Sequence, residues 1–125
     1  MNILGVESVF LWVSEVEASI GFYRTILGIE PQRLAPNLVS IDIQGTNLML
    51  HGDGEQPKFP IGKQRGLGMT LHIQVTGIFE IWDHLKEQGI TLEERPILQP
   101  YGFTEFSVHD PDGYEIEFVE RLKVD

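Results

Sequence analysis

Glu117 lies in the run Asp110-Pro111-Asp112-Gly113-Tyr114-Glu115-Ile116-Glu117-Phe118-Val119, and a carboxylate there could take up a proton or hold a cation. Side chains alternate along a strand, so Glu117 faces away from the side that carries Ile116 and Phe118. His51 and His72 stand in two other alternating runs, residues 47–51 and 69–75. Cysteine is absent, which excludes thiolate nucleophiles and disulfides and leaves any metal to His, Asp or Glu. Ser8 and Ser107 lack the glycine-flanked elbow of a serine nucleophile, and the glycines of residues 62–68 match no phosphate-loop spacing. His84 falls among Asp83, Lys86 and Glu87 on the wet side of a helix, and His109 abuts a turn at the rim. Neither is placed in the site.

The elements that must position these residues occur twice. Residues 7–13 read as a strand with Val9, Leu11 and Val13 on one face and Ser8, Phe10 and Trp12 on the other. Ser14 and Glu17 have capping-box spacing, Val16, Ile20, Tyr23 and Leu27 recur at helical spacing, and Gly28 ends the helix. Weaker strands follow at 32–34, 38–43 and 47–51, the last two joined by a turn at Gln44-Gly45-Thr46. The order then repeats. Residues 69–75 form a strand, Ile78, Ile81, Trp82 and Leu85 mark a helix, Gly89 caps it, and residues 90–95 form a strand. Asp110-Pro111-Asp112-Gly113 turns the closing hairpin, because Pro presets φ and Gly tolerates φ > 0.

Residues 8–13 sit over 70–75, Gly28-Ile29 over Gly89-Ile90, and Leu48-Met49-Leu50 over Ile116-Glu117-Phe118. Such self-similarity outranks any single motif as evidence of fold. It predicts an α+β domain of two tandem βαβββ modules, about 5–51 and 69–121, forming half-open, barrel-like sheets with helices outside. Residues 52–68 are a linker that joins the modules or covers a site.

At 125 residues and 42% hydrophobic content, one globular domain with a real core is expected. The 19 acidic against 9 basic residues give a formal charge of -10, which repels phosphate backbones and argues against nucleic acid as a partner. No apolar run reaches the ~20 residues of a bilayer span, and the opening residues lack a signal-like pattern, so a cytoplasmic protein with no membrane partner is expected.

The helices cover the sheet faces that carry Leu11, Leu50, Phe106 and Phe118. The opposite faces hold Ser8, Phe10, Trp12, Met49, His51, Thr70, His72, Gln74, Ser107 and Glu117, a mixture of aromatic and polar groups suited to a ligand pocket. For the aromatics, core packing is the competing reading.

This arrangement resembles the vicinal oxygen chelate superfamily of glyoxalases, extradiol dioxygenases, fosfomycin-resistance enzymes and bleomycin-resistance proteins. The likeness is carried by residues 13–19, Phe22-Tyr23, Leu27-Gly28, Gln99-Pro100-Tyr101-Gly102 and Asp110-Pro111-Asp112-Gly113-Tyr114 with Glu117. Metal-using members place a ligand on the first and last strand of each module. The resemblance puts these positions at Ser8, Met49, Thr70 and Glu117, of which only Glu117 is a good donor. No cofactor is therefore expected at the family position. Two residues beyond expected ligands, about 6.6 Å along their strands, His51 and His72 would either rebuild a displaced metal site with Glu117 or serve as hydrogen-bonded pocket walls.

By resemblance to the metal-lacking bleomycin-resistance type, the expected function is binding, even sequestration, of a small cationic or aromatic molecule. Phe10, Trp12, Tyr101 and Phe103 would stack, Met49, His51, Thr70 and His72 would line the pocket, and Glu117 would anchor. The alternative is an enzyme, either a glyoxalase-like lyase or an extradiol-type dioxygenase using a divalent metal at His51, His72 and Glu117, or a metal-free catalyst with Glu117 as general base. Family members close their open sheets by pairing or by exchanging modules, so a homodimer of either kind is expected.

Overall fold

The computed structural model describes residues 1–55 and 65–121. It divides into two compact units, Met1–Arg65 and Gly66–Asp125. Of the expected linker, residues 56–64 lie outside the described residues.

The first unit contains β1 (Ser8–Val13), α1 (Val16–Leu27), β2 (Gln32–Ala35), β3 (Leu38–Ile43) and β4 (Thr46–Gly52). Its four-stranded sheet runs β1-β4-β3-β2, with β1 parallel to β4 and the other neighbours antiparallel. Alternation sorts the chain as expected: Leu11, Val13, Leu48 and Leu50 are buried with Ile20, Tyr23 and Ile26 of α1. The β3–β4 hairpin turns through Gln44 and Gly45, both at positive φ, and Asp42 Oδ1 accepts a hydrogen bond from the Gly45 N–H at 2.8 Å.

The second unit repeats the topology with β5 (Thr70–Gln74), α2 (Ile78–Glu87), β6 (Ile97–Leu98), β7 (Phe103–His109) and β8 (Glu115–Arg121). Its sheet runs β5-β8-β7-β6, again with one parallel pair. Ile78, Trp82 and Leu85 of α2 are buried, as are Phe106, Val108, Ile116 and Phe118 of the sheet. The Phe106 and Phe118 rings stack with centroids 5.1 Å apart. Gly89, at positive φ, completes a Schellman ending: its N–H donates to Lys86 O and the Ile90 N–H to Leu85 O.

Two local expectations need correction. Glu15, not Ser14, is the N-cap of α1, and the Glu17 carboxylate pairs with Arg33 of β2. Residues 90–95 form no strand. The edge strand is the shorter β6, beyond Pro96, and the Glu94 carbonyl is taken by the Trp82 indole N–H at 2.8 Å. The start of α2 is capped from outside, by Glu120 of β8, whose carboxylate accepts from the Gly77 and Ile78 N–H groups at 3.0 and 3.1 Å.

Leu11 is fully buried whereas its neighbour Phe10 is 46% exposed. Leu11→Ala should therefore lower stability by about 2–5 kcal/mol in urea unfolding, and Phe10→Ala by far less. Equal losses would mean that the faces of β1 are assigned one residue out of step.

Candidate functional site

The site grows from β8 outward. Asp110 is buried, and its Oδ1 accepts from the Asp112 and Tyr114 N–H groups, each at 2.9 Å. The Gly113 N–H donates to Asp110 O and the Asp110 N–H to Tyr114 O. This turn fixes the β7–β8 register, in which Ser107 lies opposite Glu117 and His109 opposite Glu115. On the other side of β8, His72 pairs with Glu117 and Thr70 with Glu115. Two polar rows result: Thr70-Glu115-His109 and His72-Glu117-Ser107.

In the first row the Thr70 hydroxyl donates to Glu115 Oε1 at 3.1 Å, and His109 Nε2 approaches Glu115 Oε2 at 3.6 Å. Thr70 is thus engaged with Glu115, not Glu117. In the second row His72 Nε2 lies 3.3 Å from Glu117 Oε2. Glu105, diagonal to Glu117 on β7, completes a cluster in which donor atoms of His72, Glu105 and Glu117 all lie within 4.8 Å of one another.

Glu105 is only 7% exposed. The Tyr101 hydroxyl donates to its Oε1, while its buried Oε2 has no hydrogen-bond partner among the described residues. Burial pushes the Glu117 carboxyl above the ordinary carboxylate range, the negative charge of Glu105 adds to the rise, and His72 opposes it. Chiefly through its hydrogen bond to Glu105, the Tyr101 phenol is pushed up to about 12. Tyr101 therefore remains a donor at neutral pH.

Glu105 and Glu117 line a cleft of about 290 Å³ together with Glu93, Arg95, Gln99, Ser107 and His109. Its volume is at the small end for a ligand site. Tyr101 and Phe103 meet edge to face, centroids 5.8 Å apart, and the Arg121 guanidinium lies 5.1 Å over Phe103.

In the first unit, Phe10 pairs with Met49, which is buried, and Trp12 with His51. The Trp12 and His51 rings are 4.2 Å apart, and His51 Nδ1 lies 2.7 Å from Gly52 O. Ser8 lies opposite Asn47. Of the anticipated residues, the fold thus brings together His72 with Glu117, Tyr101 with Phe103, and Trp12 with His51. The donor cluster holds Glu105 and not His51.

Sequence reading missed Glu105, although the parity that put Phe106 and Val108 under the helix already assigned Glu105 to the face of Ser107. It placed His109 outside the site, where the structure has it lining the cleft. Arg95 and Gln99 carried no periodic signal.

A raised carboxyl pKa means the folded state binds more protons than the unfolded chain, so its contribution to stability is full below the unfolded value and is lost as pH rises through the folded one. Measured by denaturant unfolding in chelator-containing buffer, stability should fall as pH rises from the ordinary glutamate range toward neutrality, and Glu117→Gln should flatten that fall. An unchanged slope in the variant would remove Glu117 as the source.

The comparisons with known proteins agree with this architecture. Residues 5–118 match the family described as Glyoxalase/Bleomycin resistance protein/Dioxygenase superfamily. The phenazine antibiotic resistance protein EhpR of Enterobacter agglomerans is 32% identical over 109 residues, covering 85% of this chain and 84% of that protein. A lactoylglutathione lyase of Neisseria meningitidis serogroup A is 26% identical, covering 92% of this chain and 89% of the lyase. The crystal structure of a superfamily member from Sphaerobacter thermophilus superposes with a TM-score of 0.73 at 27% identity, over 95% of this chain and 98% of that one.

Proposed function

Because this chain belongs to the Glyoxalase/Bleomycin resistance protein/Dioxygenase superfamily, we propose that it binds a small cationic or aromatic molecule, in the manner of a drug-sequestering resistance protein, without a catalytic metal at the family's donor positions. The observation that carries this reading is the acid-walled cleft of the second unit. Glu105 and Glu117 line it, and Tyr101, beside Phe103, donates to Glu105. A negative wall next to aromatic surface favours a ligand with a positive or hydrogen-bond-donating group on a planar body. The likeness to a phenazine resistance protein supports a planar aromatic ligand.

Apart from Glu117, the donor positions implied by the family resemblance carry neutral groups. Ser8 offers a hydroxyl, Met49 a buried thioether, and the Thr70 hydroxyl is committed to Glu115. Such neutral groups do not suit a hard or borderline divalent ion, so this set does not fit one. A second reading, an enzyme of lyase or ring-opening dioxygenase type, has in its favour the 3.3 Å approach of His72 to Glu117, which pairs a base with a carboxyl whose pKa is raised.

Fluorescence titration with a cationic planar dye should show binding, and Glu117→Gln should weaken it about tenfold, the loss expected for one charge-assisted contact, with the circular dichroism unchanged. Equal affinity for a neutral isostere of the dye, together with an unaffected variant, would refute the anionic anchor.

We also propose a homodimer, supported by the exposed edge strands β2 and β6, whose unpaired backbone groups are templates for further pairing. Light scattering at micromolar concentration should give twice the chain mass, and a monomer would refute it.

A further inference from the structure

We propose that His72, Glu105 and Glu117 form a binding site for one divalent first-row transition-metal ion, contained within the second unit and sharing only Glu117 with the donor positions that the family resemblance implies. The donors come from three adjacent strands, β5, β7 and β8, on one sheet face. Their ligand atoms lie within 4.8 Å of one another, and His72 Nε2 and Glu117 Oε2 are 3.3 Å apart. In a tetrahedral site with bonds of about 2.0–2.2 Å, neighbouring donors stand roughly 3.3–3.6 Å apart. His72 and Glu117 already meet that separation. The side chain of His72 is 54% exposed, so its ring is able to swing to close the remaining distance to Glu105.

An independent observation points to a missing occupant. Glu105 is more than nine-tenths buried and belongs to this cluster, yet its Oε2 has no hydrogen-bond donor among the described residues except a carboxyl proton shared with Glu117. A buried charged acceptor left unpaired is costly, and a second carboxylate beside it raises the cost. A cation bound by both removes the two penalties together. Glu115, the other nearby carboxylate, is tied to Thr70 and His109 and is not a donor. The Tyr101 hydroxyl on Glu105 Oε1 is the outer partner that would keep Oε2 turned inward.

One imidazole with two carboxylates suits Mn, Fe, Co, Ni or Zn, whereas calcium prefers an all-oxygen shell of higher coordination. Three protein donors leave the rest of the shell to water or to an incoming ligand. This inference goes beyond the binding function proposed above. An ion in this corner would occupy the negative wall that otherwise receives the cationic group of a ligand, so the two should compete.

The test is titration of chelator-stripped, dialysed protein with Co(II), followed by visible d–d absorption, and with Zn(II) by calorimetry. One ion per chain should bind, and His72→Ala and Glu105→Gln should each weaken it at least tenfold, whereas Ser8→Ala and Glu115→Gln should not. Circular dichroism shows whether Glu105→Gln folds, and the exposed position of His72 keeps the test decisive if it does not. No uptake, with the carboxyl pair sharing only a proton, would overturn the site, as would affinity unchanged by His72→Ala. Dye binding is measured on metal-free protein, so failure of one proposal does not imply failure of the other.

Discussion

Everything in the second unit that bears on chemistry depends on the turn held by Asp110. Its buried carboxylate takes two backbone N–H groups that would otherwise lie unpaired in the bend, and this sets which residue of β8 lies beside which residue of β7. Because the side-chain period of a strand is two, a one-residue slip would send Glu117 into the helix side and bring Ile116 and Phe118 out to water. Burial of Ile116 and Phe118 against α2 and the hydrogen bonds of Asp110 therefore enforce the same register from different ends. Glu120, later on β8, ties that strand to the start of α2. One strand thus carries the hairpin, the core, the helix cap and the site.

The same topology without those polar residues is present in the first unit. There the row across the sheet is Phe10-Met49-Ser40, in the place of His72-Glu117-Ser107. The serines match, while an aromatic and a thioether replace the imidazole and the carboxylate. The backbone permits a three-residue polar row in either unit, and side chains alone decide that only the second holds a charge. A repeated scaffold can change its chemistry in one copy because each unit has its own core under its own helix.

Much of the fold was legible because it follows from alternation and punctuation. Leu11 against Phe10, the Gly28 and Gly89 helix ends, and Asp110-Pro111-Asp112-Gly113 are local signals whose physical causes act within a few residues. The site was legible only in part. His72 beside Glu117 depends on the parallel register of β5 and β8, which no local pattern encodes; placing the first-strand donor at Thr70 put it opposite Glu115 instead. Glu105 had the right parity, but its burial and its hydrogen bond from Tyr101 arise from how the segment before β7 folds back. The start of α1 also departs from the local pattern, since its N-cap is Glu15 and not Ser14, and Glu17 pairs with Arg33 across the unit.

A proton, an organic cation and a metal ion are three answers to one electrostatic deficit. Two carboxylates lie close together, one of them buried, and His72 is the only basic group in the cluster. The raised pKa of Glu117 is the response when a proton supplies the missing positive charge. Charge alone does not choose among the three, because each relieves the same repulsion. Geometry does. A proton needs only the two carboxylates, an organic cation needs space and an aromatic wall, and a transition metal needs a third, nitrogen donor at bonding distance. The cleft that Glu105 lines, with Tyr101 bonded to Glu105 and Phe103 against Tyr101, supplies the second condition and His72 the third, so what fills the corner is set by what the surroundings offer and by how far His72 moves.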